Sequence, residues 1–252
     1  MRAAFLALLL WVATGPALAE RLVTSVSRTE VSITSSFSGE TLTLFGNIEP
    51  EAGAALPYVE GPYHIIIIVT GPLQDRVARR KANFFGVWLN SQQVTFENFP
   101  SYFHVLSDAN LTNITSPIAL AELNMLPQQQ ARHAARAGWW DTITFGDELV
   151  RLMSEQSLFG VNTQGVVFRS NTFYSAQVNL ASDAPPGPYI AHTYLFKGGQ
   201  LITEKSDGFS VRKIGFERFL GLAAVQQPLL YGICAVILAL FTGWLGGVVF
   251  RR

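Results

Sequence analysis

The chain is expected to be mainly β: an immunoglobulin-like β-sandwich with a helical insert, followed by one C-terminal transmembrane helix. Three observations predict this class. Residues 229–250 (LLYGICAVILALFTGWLGGVVF) carry no charge, and at about 1.5 Å per residue they span roughly the 30 Å hydrocarbon core of a bilayer. With no water there to satisfy the backbone, such a run folds as a helix. Upstream, between residues 31 and 211, short β-branched or alternating runs recur between Gly- and Pro-rich breaks, as strands do. A single tract, residues 116–157, shows helical spacing instead.

Residues 1–19 read as a secretory signal: Arg2 as the basic start, an apolar run over 3–12, and the small-residue site Ala17-Leu18-Ala19 before Glu20. Gly15 and Pro16 interrupt the run and argue against an uncleaved anchor. Residues 31–37 (VSITSSF) alternate as a half-buried strand; 38–41 turn it, and Leu42, Leu44 and Phe45 begin a return strand, which together predict a hairpin. Residues 49–61 hold two prolines and read as a loop. The run HIIIIV (64–69) has no polar face, so it is expected to be buried on both sides in the centre of a sheet. Gly71-Pro72 ends it. Residues 84–89 (FFGVWL) and 102–106 (YFHVL) are predicted as further strands, separated by Pro100.

Ser116-Pro117 reads as a cap with a first-turn proline, ahead of Ile118, Leu120, Leu123 and Leu126 at helical spacing. Pro127 and the polar tract 128–136 are expected to interrupt that helix. A second is predicted over 147–156, with Leu149, Leu152 and Met153 on one face. Strands resume at 166–169 and 173–180. The turn cluster 183–187 leads into 189–196, which pairs across Lys197-Gly198-Gly199-Gln200 with 201–204 as a hairpin. Pro-Gly-x-Tyr before such a return is common near the end of immunoglobulin-like sandwiches. Phe209 and Val211 would finish the sheet, closing an extracytoplasmic region of residues 20–212. Residues 213–228 read as a juxtamembrane amphipathic helix, with Lys213 and Arg218 at the headgroups. The spanning helix, 229–250, then ends on a cytoplasmic tail, Arg251-Arg252. A signal peptide sets this orientation, because the basic residues flank both ends of the span.

Setting aside Arg2, Arg251 and Arg252 from the 18 basic residues leaves 15 against 18 acidic ones, a balance of −3. A mildly acidic outer region without a basic stripe argues against nucleic acid. Cys234 is the single cysteine and lies within the span, so intrachain disulfides and Cys-based metal sites are excluded. A domain of this size without disulfides suits a bacterial envelope, with the outer region in the periplasm and the helix in the inner membrane. The sequons at Asn110 and Asn113 are then polar loop residues.

Several segments carry a resemblance. VSITSSFSGETLTLFGNIEP, FFGVWLN, PSYFHVLS, PPGPY and the ending QPLLYGICAVILALFTGWLGGVVFRR resemble the alphaproteobacterial transmembrane protein family over nearly the whole mature chain. That resemblance implies a signal peptide, an extracytoplasmic domain and one C-terminal helix. It brings no defined catalytic residues. The family's association with sulfite-exporter-type permeases implies a partner of that kind.

The candidate functional residues lie mostly in the span. Ala235, Ala239, Gly243 and Gly247 recur every four residues, so one face is a shallow groove between Leu238, Phe241 and Trp244. Small residues matter there because they let helix backbones approach closely. His64, His104 and His192 each fall on a predicted strand, without a carboxylate or histidine at ligand spacing. No cofactor, metal or catalytic residue is therefore expected, although clustering of those histidines with an acid would point to a metal-assisted enzyme. Asp141, Asp147 and Glu148 read as helix-start carboxylates. Arg79-Arg80-Lys81 is either a solvated turn or a contact for anionic headgroups or a partner. The aromatic residues Phe84, Phe85, Trp88, Phe96, Phe99, Tyr102 and Phe103 are expected in the core, with any exposed remainder serving as a docking face. The expected function is a non-enzymatic accessory subunit contacting lipid, a permease, or a second copy of itself. The alternative is a membrane-anchored sensing domain with a pocket between sandwich and insert.

Overall fold

A computed structural model describes residues 20–33, 39–51, 58–214 and 216–249. The expected signal peptide, the Arg251-Arg252 tail and most of the predicted strand at 31–37 lie outside the described residues. The chain divides into two compact units. The first holds residues through Val31 and from Ser38 to Val211; the second holds residues 32–37 and those from Arg212 onward.

Two of the three sheets make up most of the first unit. One has four strands: β1 (Glu20–Val26), β3 (Glu40–Pro50), β11 (Phe173–Leu180) and β10 (Val166–Phe168), in that spatial order. The other has six, in the order β2 (Glu30–Ile33), β13 (Gln200–Lys213), β12 (Gly187–Lys197), β4 (His64–Thr70), β7 (Phe103–Ser107) and β9 (Phe159–Asn162). Alternation sets their inner faces. Leu42, Leu44 and Ile48 on β3 are buried, as are Tyr174, Ala176, Val178 and Leu180 on β11 and Tyr189, Ala191 and Leu195 on β12. Tyr102, just before β7, donates its hydroxyl to Asn179 O of β11 at 3.0 Å and ties the two layers together. Gly46 lies where a Cβ would come within 2.4 Å of the Tyr174 hydroxyl, so only glycine lets that ring cross β3.

The mainly β architecture is the one expected, with several sheets and one C-terminal apolar helix. β4 lies between β12 and β7 with Ile65 to Val69 all buried, as its unbroken apolar run requires. The β12–β13 hairpin is also as expected. Of the hairpin predicted over residues 31–47, the described parts have other partners: β2 joins β13, while β3 joins β1 and β11 in the other sheet. Local alternation identified the strands but could not choose between partners distant in sequence.

The helices α1 (Leu111–Ile114), α2 (Pro117–Glu122), α3 (Pro127–Ala134) and α4 (Trp139–Glu155) connect β7 to β9. Those two strands are parallel, and a parallel pair needs a crossover of this kind. The insert is thus a connection within one unit, because strands from both sides of it occur in each of these two sheets. Ser116 caps α2 by accepting from Ala119 N, as expected. The tract at 128–136, expected to break the helix, forms most of α3 and then the short strand Ala135–Arg136, with Pro127 in the helix's first turn and Gln129 Oε1 accepting from Leu126 N. α4 begins eight residues before the expected start at Asp147, with Asp141 in its first turn.

The third sheet consists of β5 (Leu73–Phe84), β6 (Val87–Pro100) and the two-residue β8 (Ala135–Arg136). In the second unit, α5 (Phe216–Gln226) and α6 (Pro228–Val249) follow β13.

Candidate functional site

β5 and β6 form a long hairpin whose two halves differ in kind. At its root, Val94, Phe96 and Phe99 are buried. Thr95 and Phe96 pair with β8, and the Arg80 guanidinium lies 5.6 Å from the Phe145 ring of α4. Beyond Arg80 four cross-strand pairs remain, from Lys81–Asn90 to Phe84–Val87. At about 3.3 Å per residue they extend roughly 13 Å. Every residue from Phe84 to Gln93 is exposed.

The turn is Phe85-Gly86, with φ of 50° and 87°. Two positive φ values in a two-residue loop are those of a type I′ turn, which favours Asn-Gly. Asn83 Oδ1 accepts from Gly86 N at 2.8 Å and helps hold it. Phe85 is therefore a bulky residue in a backbone region it rarely adopts, and it is fully exposed. Ala82, Phe84, Val87 and Leu89 share one face of the ribbon by pairing and alternation; Lys81, Asn83, Trp88 and Asn90 share the other. Trp88 is 66 % exposed.

The aromatic set expected in the core therefore splits. Phe96, Phe99, Tyr102 and Phe103 are buried, whereas Phe84, Phe85 and Trp88 stand in solvent at the tip. Residues 84–89 are not one strand: Phe84 ends β5, Phe85-Gly86 is the turn, and residues 87–89 begin β6. Arg79, Arg80 and Lys81, expected as a solvated turn or a contact surface, lie on β5 behind that tip.

The second unit carries the other candidate surface. α6 has 22 residues, and its apolar window has a mean hydropathy of 2.1 with none of it buried. Ala235, Ala239, Gly243 and Gly247 all lie on it and are exposed. A Cβ added at Gly243 or Gly247 would meet nothing within 4 Å, so that face is open to a neighbouring backbone. Phe241 and Trp244 stack obliquely beside it, ring centroids 6.2 Å apart. The Thr242 hydroxyl donates to Leu238 O, which satisfies the polar group within the helix. Among the residues expected at the membrane interface, Lys213 is the last of β13 and Arg218 lies on α5; Arg251 and Arg252 lie outside the described residues.

Among the described residues the three strand histidines join no group of three or more His, Cys, Asp or Glu side chains that could hold a metal ion, and each has its own partner. His64 Nδ1 meets Asp108 Oδ2 at 2.8 Å, and Asp108 Oδ1 also accepts from Ile65 N. His192 Nδ1 meets the Ser206 hydroxyl at 2.8 Å. His104 Nε2 lies 3.1 Å from Ser157 O, and its ring stacks on Tyr102; burial holds its pKa below the usual histidine value. Glu148 pairs with Arg151 at 2.6 Å. A groove of about 800 Å³ runs between the edge strand β1 and the Leu201–Lys205 part of β13, and is open to solvent. Its wall includes Glu20, whose carboxylate accepts from Tyr63 and from Lys197 Nζ at 2.8 Å.

One family model, described as "Putative transmembrane protein (Alph_Pro_TM)", matches residues 21–252. No curated protein matches the chain.

Proposed function

The chain belongs to this alphaproteobacterial transmembrane protein family, and from that premise we propose that it is an accessory subunit of an envelope transport system. In this reading the β-rich unit stands in the periplasm, α6 crosses the inner membrane, and the work is interaction rather than catalysis. The observation that carries it is the open row Ala235, Ala239, Gly243 and Gly247 on a helix whose apolar window is wholly unburied. In lipid there is no water-driven force between helices, so backbone approach through small residues is a principal source of association. The partner is a multi-span permease, of the sulfite-exporter type by family resemblance, or a second copy of α6.

The experiment is purification of the full chain in mild detergent from its native membrane, beside the double variant Gly243→Leu and Gly247→Leu. Two leucines fill the face without shortening the apolar run, so insertion is expected to persist. Co-purification of the permease, or the chain's own dimer, is expected to fall at least tenfold, the equivalent of about 1.4 kcal/mol. Retention of every association at wild-type yield would overturn the helix-face reading.

A further inference from the structure

We propose that the tip of the β5–β6 hairpin is a second membrane contact, inserting Phe84, Phe85, Val87, Trp88 and Leu89 into the interface of an anionic bilayer. Three independent features lead to one occupant.

The first is the turn. Asn is the residue suited to the first central position of this turn, and a polar residue is suited to full exposure. Phe85 is neither, yet it holds positive φ at the apex. An unfavourable conformation at an exposed position points to a function for that side chain. The second is the flanking ribbon, where apolar side chains are exposed on both faces. A docking groove on a folded protein would cover one face of a ribbon; a liquid-like apolar phase accepts both.

The third is charge. From Arg76 to Phe96 the chain contains Arg76, Arg79, Arg80 and Lys81 and no acidic residue, although the outer region as a whole is mildly acidic. Arg79, Arg80 and Lys81 are exposed on the strand leading to the tip. An apolar, aromatic end backed by cations is the order in which an anionic bilayer presents its complements: acyl chains, then headgroup phosphates. Lipid is also the phase to which the chain is already tethered, so contact is intramolecular and needs little intrinsic affinity.

The test uses the full chain in a Cys234→Ala background, reconstituted without other proteins into bilayers containing phosphatidylglycerol. A nitroxide is placed through Phe85→Cys, or separately through Trp88→Cys. Asp183→Cys, an exposed position in a turn far along the chain, serves as the aqueous reference. Phe85 has no packing to lose, and an unchanged thermal melt verifies folding. The expected result is several-fold lower collision with a water-soluble nickel complex, and higher collision with oxygen, at both tip positions than at the reference. Adding Arg79→Gln and Lys81→Gln is expected to return the tip label several-fold toward reference accessibility. A tip as accessible to nickel as the reference in these bilayers would overturn the proposal. So would shielding that arises only when a co-purified protein is added back, since the occupant would then be protein. Neither outcome depends on the α6 face, so this inference stands or falls apart from the accessory-subunit reading.

Discussion

At the scale of single residues, the most informative side chain is the half-buried His104. It stacks on Tyr102, meets Ser157 O, and lies where a Cβ on Gly160 would come within 2.8 Å of its ring. Burial disfavours its charged form and lowers its pKa from the ordinary 6.5. The unfolded chain therefore binds a proton that the folded chain refuses. Stability is fully present above about pH 6.5 and is lost as pH falls toward the folded value, by at most about 1.4 kcal/mol per pH unit. Thermal melts of the full chain at pH 7.5, 6.5 and 5.5 are expected to show falling stability, with a smaller drop for His104→Gln. An equal drop in that variant would place the acid sensitivity elsewhere.

At the scale of elements, the hairpin sets folding against its proposed contact. Phe85→Asn supplies the side chain that a type I′ turn favours, so it is expected to stabilise the first unit by about 0.5 kcal/mol, as turn optimisation commonly does. The same change should weaken tip shielding in anionic bilayers. A calorimetric melt measures the first effect, and lower stability in the variant would contradict the turn assignment. This element was also the hardest to read from sequence. β4 announced itself because isoleucines without a polar face require burial on both sides. The outer half of β5 buries almost nothing, so its alternation carries no signal. Phe84 to Leu89 have the composition of a core strand, and Phe-Gly lacks the Asn-Gly mark of a two-residue turn. The usable hint was Arg79-Arg80-Lys81, separated by two residues from the aromatic pair Phe84-Phe85. α3 was missed for a related reason: glutamines give a weak apolar period, and only Pro127 at its first turn marked the start. The small-residue row of α6 was legible because a four-residue spacing needs no tertiary context.

At the scale of the whole molecule, the sheets are assembled by pairings between distant strands. Ile66 of β4 lies beside Ser107 on one side and Tyr194 on the other, and β3 is completed by β1 and β11. Strand identity could be read locally, but partner choice could not, because the deciding contacts join opposite ends of the chain. A chain ending at Leu180 lacks β12 and β13 and so leaves β4 without its partner on one side. It is expected to be degraded by a protease concentration that leaves the β-rich unit of the full chain intact; survival would show that the remaining strands fold without that hairpin. The same arrangement imposes an order of events on synthesis. The isoleucine strand emerges early and must wait, one adhesive edge bare, until the final hairpin has been made. A newly made chain is therefore at its most vulnerable to self-association in that interval, and a holdase on the folding side of the membrane would find its substrate there.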